Sequence, residues 1–301
     1  MHYFTILAAI GVGSILLASP ARCDSYKDFF PEDYAQISPQ FLAEVDAYDF
    51  KQGKITLDGG MAQLDVPEGY YFLGAKDARY LMEKVWKNPE DTSILGMIFP
   101  RNVTPYDGGS WAVSLQFEDI GYVSDDDAES YDYDDMLKSM QADAITENEW
   151  RVKNGFAKVE LLGWAAEPHY DKAARKVYWA KKLHFDGETT DTLNYNIRAL
   201  GRKGVLVMNF IAGAEQMAMV ETAAPDVMKM ASFTEGNRYV DFVPGADTVA
   251  AVGIGGLIAG TVASKSGFLL LALAFLKKGF ILLLVPAIWL KKKLFGAKPE
   301  S

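Results

Sequence analysis

The sequence has few of the residues on which covalent and metal-based chemistry depends. Its 301 residues include one cysteine, Cys23, and three histidines. A single cysteine excludes an internal disulfide, so the folded part must be stable through packing alone. No Gly-x-Ser-x-Gly segment marks a nucleophilic serine. His169 and His184 do not face each other on the predicted strands, and no third ligand is evident. The sequence therefore predicts no catalytic residue and no cofactor.

Positive charge is scarce between the two ends of the chain. The whole chain has 40 acidic and 30 basic residues, for a net charge of −10. Residues 1–23 hold one of the basic residues, and residues 265–301 hold seven lysines and one acid, so the intervening body has 39 acidic and 22 basic residues, a net charge near −17. Such a surface repels nucleic acid and anionic lipid headgroups, and we expect neither as a ligand of this body.

The first residues are apolar, and the pattern is typical of a signal peptide. The run from His2 to Ala18 is followed by a candidate cleavage region, Ser19 to Cys23. Only the amino terminus and His2 provide a positive start to this segment. Cleavage after Ala21 and cleavage after Cys23 both satisfy the small-residue rule. We predict a signal peptide over residues 1–23 and an extracytoplasmic domain over residues 24–246.

Residues 247–297 are predicted to be a C-terminal membrane anchor. A helix needs roughly 20 apolar residues to cross a bilayer, with a lower limit near 17. The uncharged stretch at about residues 248–264 reaches that minimum, and Val249 and Gly253 lie in it. Gly256 and Gly260 form a small-xxx-small pattern that suits helix packing in membranes. We therefore predict a span over residues 248–264.

The rest of the anchor consists of two shorter apolar runs within residues 268–290, separated by Lys277 and Lys278. One span through both runs would bury these lysines at about 2.5–3.5 kcal/mol each. Interfacial or re-entrant helices are favoured, and a two-span hairpin is the alternative. The lysines follow the first run, which places the C-terminus in the cytoplasm and the acidic body outside the inner membrane, with lipid as the partner of the tail.

The body alternates between helical and strand patterns. The sequence predicts helices at about residues 39–48, 76–87, 133–148 and 214–230, and strands at 54–58, 61–66, 94–99, 111–117, 157–166, 175–185, 192–200 and 205–211. Residues 24–37 show no clear period and are predicted to be extended. Trp164 and Trp179 would be cross-strand neighbours about a turn at residues 170–173. The fold class is α+β, an antiparallel sheet flanked by helices between the signal peptide and the membrane tail.

Several short motifs are specific when they are taken together. They are Ala62–Pro67, Asn88-Pro89, Gly96–Ile98, Gly121–Val123 with Asp125–Ala128, Gly163-Trp164, Pro168–Asp171, Trp179-Ala180, Leu193–Tyr195, Leu200–Leu206 and Tyr239–Phe242. Through these motifs the chain, from about Gly53 to the tail, resembles the DUF2167 family of bacterial membrane-anchored proteins. The resemblance implies an exported domain with a C-terminal anchor and supplies no catalytic residue. The element order is also similar to that of the PsbP/Mog1-like sandwich, which implies no function.

The densest run of acids begins with Asp125, Asp126 and Asp127. Carboxylate oxygens suit Ca²⁺ or Mg²⁺, so these three residues are the candidate metal ligands. EF-hand spacing fails, because Ser130 stands where the turn glycine belongs and Met136 where the bidentate acid belongs. A solvated loop leading into a helix explains the same residues, and it is the favoured interpretation.

Two further groups are candidate sites. Asp119 and Asp126 could supply the paired carboxylates of a glycosidase-type hydrolase. Aromatic residues at strand spacing are mostly expected in the core, but some could form a recognition surface for a protein or glycan. That candidate surface consists of Tyr122, Trp164, His169, Tyr170 and Arg202.

The favoured function is that of a membrane-anchored extracytoplasmic protein that binds or scaffolds an envelope protein partner. The anchor and the lack of a catalytic constellation motivate it. A carboxylate-dependent envelope hydrolase and an accessory subunit of an inner-membrane complex are the alternatives.

Overall fold

The computed structural model describes residues 22–86, 90–107, 111–153 and 157–260. The strands are β1 (Arg22–Asp24), β2 (Phe50–Thr56), β3 (Ala62–Val66), β4 (Tyr70–Gly74), β5 (Ile94–Pro100), β6 (Ala112–Glu118), β7 (Val159–Asp171), β8 (Lys176–Phe185), β9 (Thr192–Leu200), β10 (Val205–Gly213) and β11 (Ala231–Phe233). The helices are α1 (Tyr26–Phe29), α2 (Pro31–Tyr34), α3 (Pro39–Val45), α4 (Ala75–Tyr80), α5 (Tyr133–Lys153), α6 (Met217–Met230) and α7 (Ile254–Ala259). A π-type turn over Leu81–Val85 extends α4, and 3₁₀ turns form at Ala214–Gln216 and Tyr239–Asp241.

The strands form one 11-stranded sheet in the order β11-β3-β2-β4-β5-β6-β10-β9-β8-β7, with β1 added to β2. All of these strand pairs are antiparallel. The α+β class with an antiparallel sheet and flanking helices is therefore confirmed.

Alternation along the strands gives the sheet two different faces. The back face carries the largest apolar cluster, in which Ile197 and Met208 share the core with Val220 and Val227 of α6. The front face carries three smaller clusters. The first lies under α1 to α4, the second under the segment that contains α7, and the third under α5. The front face is thus covered in separate patches.

The first residues of the domain are helical, so the prediction of an extended lead-in over residues 24–37 was wrong. Ser25 caps α1 and forms a capping box with Asp28. Tyr26 is fully buried, and Phe29 packs on Phe50 at 5.1 Å between ring centroids. Helices of four residues are too short to show a 3.6-residue period, which is why the sequence pattern misses them.

The longer elements agree with the sequence prediction in type and place. The predicted hairpin at residues 54–66 is formed by β2 and β3, and the four strands from β7 to β10 pair in succession. The first predicted helix ends early, because α3 stops at Val45 and Gly53 lies inside β2. The predicted pairing of Trp164 with Trp179 was wrong. Trp164 pairs with Lys181, since the register of β7 shifts at irregularities between Leu161 and His169.

Part of the predicted membrane span packs on the domain instead. Residues 249–260 follow the sheet, Val249 bridges to Tyr122, and α7 buries Ile254, Leu257 and Ile258 against it. The folded unit therefore extends beyond the predicted boundary at residue 246. Within the residues that the structure describes, no helix has both the length and the apolarity needed to cross a membrane. The predicted signal peptide up to residue 21, the end of the predicted span and the runs at 268–290 lie outside the described residues.

Candidate functional site

Several of the motif residues meet around the carboxylate of Asp125. The hydroxyl of Tyr170 donates a hydrogen bond to Asp125 Oδ2 at 2.8 Å, and that of Tyr239 donates to Oδ1 at 2.9 Å. The guanidinium of Arg175 forms an ion pair with the same carboxylate and lies 4.7 Å from the ring centroid of Tyr239. We call Asp125, Tyr170, Arg175 and Tyr239 the Asp125 cluster. It joins the loop before α5, the β7–β8 hairpin and the C-terminal segment.

The charge on Asp125 is stabilised by its donors. Burial by itself raises the pKa of this carboxyl group, but the hydrogen bonds from Tyr170 and Tyr239 and the charge of Arg175 outweigh burial and leave the pKa below its ordinary value. Burial raises the pKa of Tyr170 to about 12 and also raises the pKa of Tyr239. Both phenols therefore stay protonated and keep donating at neutral pH. The cluster is a set of matched charges and donors, which is typical of a structural joint.

The joint holds the C-terminal arm, which we define as residues 239–260. The ring of Tyr122 stacks on Tyr239 and Phe242, at centroid distances of 4.5 and 3.9 Å. The amide of Tyr122 donates to the Thr248 carbonyl at 2.8 Å, and its carbonyl accepts from the Ala250 amide at 2.8 Å. Asp127 Oδ1 accepts from the amide of Ile254 at 2.9 Å, at the start of α7. The arm is therefore attached along most of its length.

Two glycines let the arm lie this close. A Cβ on Gly121 would come within 2.7 Å of the Thr248 carbonyl oxygen, and Gly121 has a φ of +91°. A Cβ on Gly253 would come within 2.2 Å of an Asp127 carboxylate oxygen. Gly260 ends α7 in the left-handed conformation. Gly253 and Gly260, with Val249 and Gly256, were predicted to lie in a membrane span. In the structure these four residues belong to the arm on the domain, and a membrane span through them stays a prediction.

The three candidate metal ligands have separate protein partners. Asp125 is held by its cluster, Asp126 accepts a 2.7 Å hydrogen bond from the hydroxyl of Ser124, and Asp127 binds the start of α7 and the hydroxyl of Tyr131. No group of three or more histidine, cysteine, aspartate or glutamate side chains among the described residues is arranged to hold a metal ion. A metal role for these residues stays a prediction with no geometric support.

The candidate recognition residues are only partly brought together. Tyr122 and Tyr170 both lie at the joint, and Trp164 borders it, with its indole donating to the Tyr133 carbonyl at 3.1 Å. His169 is exposed and lies 5.2 Å from the ring of Tyr178, on the back-face side of the hairpin. Arg202 binds Asp247 through two hydrogen bonds of 2.7 and 2.9 Å, which fix the arm. Tyr122 and Arg202 therefore serve the arm, and a shared recognition surface for all five residues stays a prediction.

A second polar group lies at the centre of the front face. Lys181 of β8 pairs with Asn194 of β9, and Asn196 of β9 pairs with Asn209 of β10. Arg198 follows on the same face. We call these five residues the polar island. Asn196 and Arg198 are buried, at 5% and 8% exposure, whereas Lys181, Asn194 and Asn209 are partly exposed.

The two cations of the island make no ion pair with a described residue, and the buried Glu118 of β6 acts on Arg198 only from a longer distance, where its charge offsets part of the lowering of the Arg198 pKa by burial. Arg198 donates to the side-chain oxygens of Asn209 at 2.9 Å and Asn196 at 3.3 Å, and its guanidinium lies 5.1 Å from the Trp179 ring centroid. No carboxylate in the described parts of the chain lies within 4.0 Å of the charged nitrogens of Lys181 or Arg198. Burial, followed by the charge of Arg198, lowers the pKa of Lys181 to about 8.

Sequence reasoning missed the island, although a signal was present. The segment Leu193 to Ala199 alternates strictly between apolar residues and Asn194, Asn196 and Arg198. Such alternation is read as one buried face and one solvated face. The polar face is instead enclosed by three apolar clusters, and this enclosure depends on contacts that are distant in sequence.

Comparison with solved structures finds several distant similarities, of which two are described. The solution structure of cyanobacterial PsbP (CyanoP) from Synechocystis sp. PCC 6803 is 12% identical, with 76% of this chain and 99% of that chain covered and a TM-score of 0.32. The Ran-binding protein Mog1p of Saccharomyces cerevisiae is 12% identical, with 63% of this chain and 97% of that chain covered and a TM-score of 0.33. Neither similarity assigns a ligand or partner to this chain. No curated protein sequence matches it.

The sequence model described as "Protein of unknown function (DUF2167)" matches residues 49–288, which include the Asp125 cluster, the polar island and the arm. The chain therefore belongs to the DUF2167 family.

Proposed function

We propose that the protein is a non-enzymatic binding or scaffold protein of the bacterial envelope, tethered to the inner membrane by its C-terminal tail with its domain on the extracytoplasmic side. The docked arm is the observation that carries this proposal. An arm fixed to residue 260 makes a stiff joint between the domain and the apolar sequence after it. A stiff joint suits a protein whose task is to present a surface at a set position.

The arm also changes which residues provide the tether. Residues 249–260 are occupied by the domain, so membrane contact falls to the apolar runs at 268–290. Together these runs have the length of one span, and Lys277 and Lys278 divide them. With residues 249–260 held by the domain, one crossing through both runs is what places the C-terminus in the cytoplasm, and the side chains of Lys277 and Lys278 then extend toward the lipid headgroups. Lipid is the partner of the tail, and an envelope protein is the proposed partner of the domain.

The alternatives gain less support. An envelope hydrolase needs paired carboxylates, and Asp119 and Asp126 are both exposed with no hydrogen bond between them. An accessory subunit that assembles through the glycine face of the arm would have to displace the domain, since Gly253 backs onto Asp127.

Protease accessibility tests the tether and its orientation. Spheroplasts that express the full chain with a tag after Ser301 are treated with an impermeant protease. We expect digestion of the acidic domain, recovery of the protein in the membrane fraction, and protection of the tag. Digestion of the tag with the domain spared, or loss of the protein from the membrane fraction, would contradict the proposal. Detergent-lysed cells are the control for cleavable sites.

A further inference from the structure

We propose that the polar island binds a compact anion that carries a carboxylate or phosphate group, with Lys181 and Arg198 as its cationic ligands. This assignment gives a ligand class to the binding function proposed above and rests on it in that respect. It concerns residues that are separate from the Asp125 cluster, so the two are tested by different substitutions.

The island is bounded by apolar side chains on three sides of the front face. Along β8, Trp179 belongs to the cluster under α7, and Leu183 belongs to the cluster under α5, so Lys181 lies between them. On the third side, Ala112 of β6 belongs to the cluster under α1 to α4, and it pairs with Ile211 of β10. A few converging polar groups with an apolar surround are typical of a small-molecule site.

The unsatisfied groups in the island and beside it are donors. The ammonium of Lys181 has no hydrogen-bond or ion-pair partner among the residues described, and the buried indole N–H of Trp179 has no acceptor. Arg198 has only neutral oxygens as acceptors, from Asn196, Asn209 and the Ile197 carbonyl. Glu118 is near enough to act on the charge of Arg198 but forms no ion pair with it, and the partly buried ammonium of Lys181 has no carboxylate partner at all among the described residues. An unpaired cation in such a place is unfavourable, so the fold leaves room for an acceptor-rich, negatively charged group.

Arg198 is already fixed in place for such a group. The amide of Asn196 donates to Asn194 Oδ1 at 2.6 Å and to the Asn194 carbonyl at 3.0 Å. These bonds orient Asn196 so that its oxygen accepts from Arg198. A guanidinium that is held before the ligand arrives loses little freedom on binding.

The rest of the molecule limits the size of the ligand. The chain has a net charge of −10, which repels polyanions such as nucleic acid at long range. Lys181, Asn194 and Asn209 are the partly exposed residues of the island, so a ligand would approach from their side. The same negative charge repels a small anion less strongly, and at the island such an anion would contact both Lys181 and Arg198.

Calorimetric titration of the full chain in a non-ionic detergent tests the assignment. The probes are inorganic phosphate, succinate and the short-chain lipid dioctanoyl phosphatidylglycerol, at constant ionic strength maintained with chloride. We expect saturable binding of phosphate, succinate or both, and at least a tenfold loss of affinity in Lys181→Met. Lys172→Met, which removes an exposed lysine from the turn of the same hairpin, should bind like the wild type.

Each outcome decides the assignment. Binding of the lipid alone, lost in Lys181→Met, would identify a headgroup phosphate as the source of the anion. The proposal would be overturned if none of the three probes bound in the chloride buffer. It would also be overturned if wild type and Lys181→Met bound a probe with equal affinity. Because Lys181→Met leaves the arm and tail intact, a failure here leaves the protease experiment on tethering unaffected. A thermal unfolding profile of each variant confirms that it is folded.

Discussion

The Asp125 cluster and the polar island both place charge on the front face of the sheet, and they treat it in opposite ways. Asp125 is surrounded by two phenol donors and a guanidinium, so each charge has a partner. In the island, Lys181 and Arg198 lie near each other and neither forms an ion pair among the described residues, although Glu118 acts on Arg198 from a longer distance. A matched cluster stabilises a fold, whereas like charges held together destabilise it. We therefore interpret the Asp125 cluster as a structural element and the polar island as a site that is available to a ligand.

The largest expected effect comes from removing the centre of the matched cluster. Asp125→Ala should lower the free energy of unfolding by about 3–4 kcal/mol, because it leaves Arg175 and two phenols without their acceptor. Chemical denaturation measures this loss. The matched control is Asp126→Ala, at an exposed neighbouring carboxylate, which should change stability by less than about 0.5 kcal/mol. Equal losses in the two variants would remove the distinction between the cluster and the loop.

The carboxylate of Asp125 should also make the free energy of unfolding depend on pH, with a sign that follows from its pKa. The pKa of Asp125 is lowered in the folded state from its ordinary value of 3.8. Its stabilisation is therefore present above the unfolded pKa and is lost as the pH falls through the folded pKa. The stability gap between wild type and Asp125→Asn should narrow below pH 4 and stay constant from pH 5 to 7. A gap that widens in acid would contradict this assignment.

The fit of the arm against Gly121 should have the next largest effect. Gly121→Ala should destabilise the protein by about 2–3 kcal/mol, because the added Cβ meets the Thr248 carbonyl and the backbone is left-handed. Gly187→Ala separates the two causes, since Gly187 has the same φ of +91° with nothing within 4 Å of the added Cβ. We expect about 1 kcal/mol for the control. Denaturant midpoints at constant m-value measure both.

A substitution in the polar island should stabilise the protein, in contrast to the substitutions at Asp125 and Gly121. Lys181→Met should raise the free energy of unfolding at pH 7 by roughly 1–3 kcal/mol, because it removes a partly buried ammonium that has no ion-pair partner. The folded pKa of Lys181 is about 8, against an ordinary value of 10.5. Its penalty is fully present below pH 8 and disappears as the pH rises toward 10.5. The free energies of unfolding of wild type and Lys181→Met should therefore differ at pH 7 and be nearly equal at pH 10. A destabilised Lys181→Met at pH 7 would mean that the ammonium has a favourable partner.

A smaller effect is expected at the outer end of the arm. Arg202→Gln removes the paired hydrogen bonds to Asp247, so the amides of residues 248–250 should exchange with solvent several-fold faster. Arg238→Gln breaks a more exposed pair with Asp241, three residues away, and should leave this exchange unchanged. Hydrogen exchange followed by mass spectrometry distinguishes the two. Equal rates in both variants would place the attachment of the arm elsewhere.

The sequence predicted the strands and motifs around the Asp125 cluster better than it predicted the polar island. Strands β5 to β10 follow from alternation and turn residues, and the turn of residues 201–204 is present, with the Gly201 amide bonded to the Gly204 carbonyl at 2.8 Å. The motifs around Tyr122, Tyr170 and Tyr239 were recognised in the sequence. Their meeting at Asp125 was not, because it joins positions up to 114 residues apart.

Two differences between the sequence prediction and the structure have a common physical origin. The pairing of Trp164 with Trp179 was missed because irregularities in β7 shift the register, and the sequence does not mark them. The uncharged stretch after Asp247 was assigned to lipid because apolar composition does not say which apolar surface covers it. The front-face cluster with Val177 and Leu200 covers Ile254 and Leu257. In both cases distant contacts decide between structures that are locally equivalent.

The most direct test of the contrast between the two regions is an NMR titration of the Lys181 side-chain amine in the full chain, assigned by comparison with Lys181→Met. The account predicts a pKa of about 8 without added anion, rising when phosphate or succinate is added. A pKa near 10.5 that no anion changes would contradict it, because the ammonium would then be either solvated or already paired.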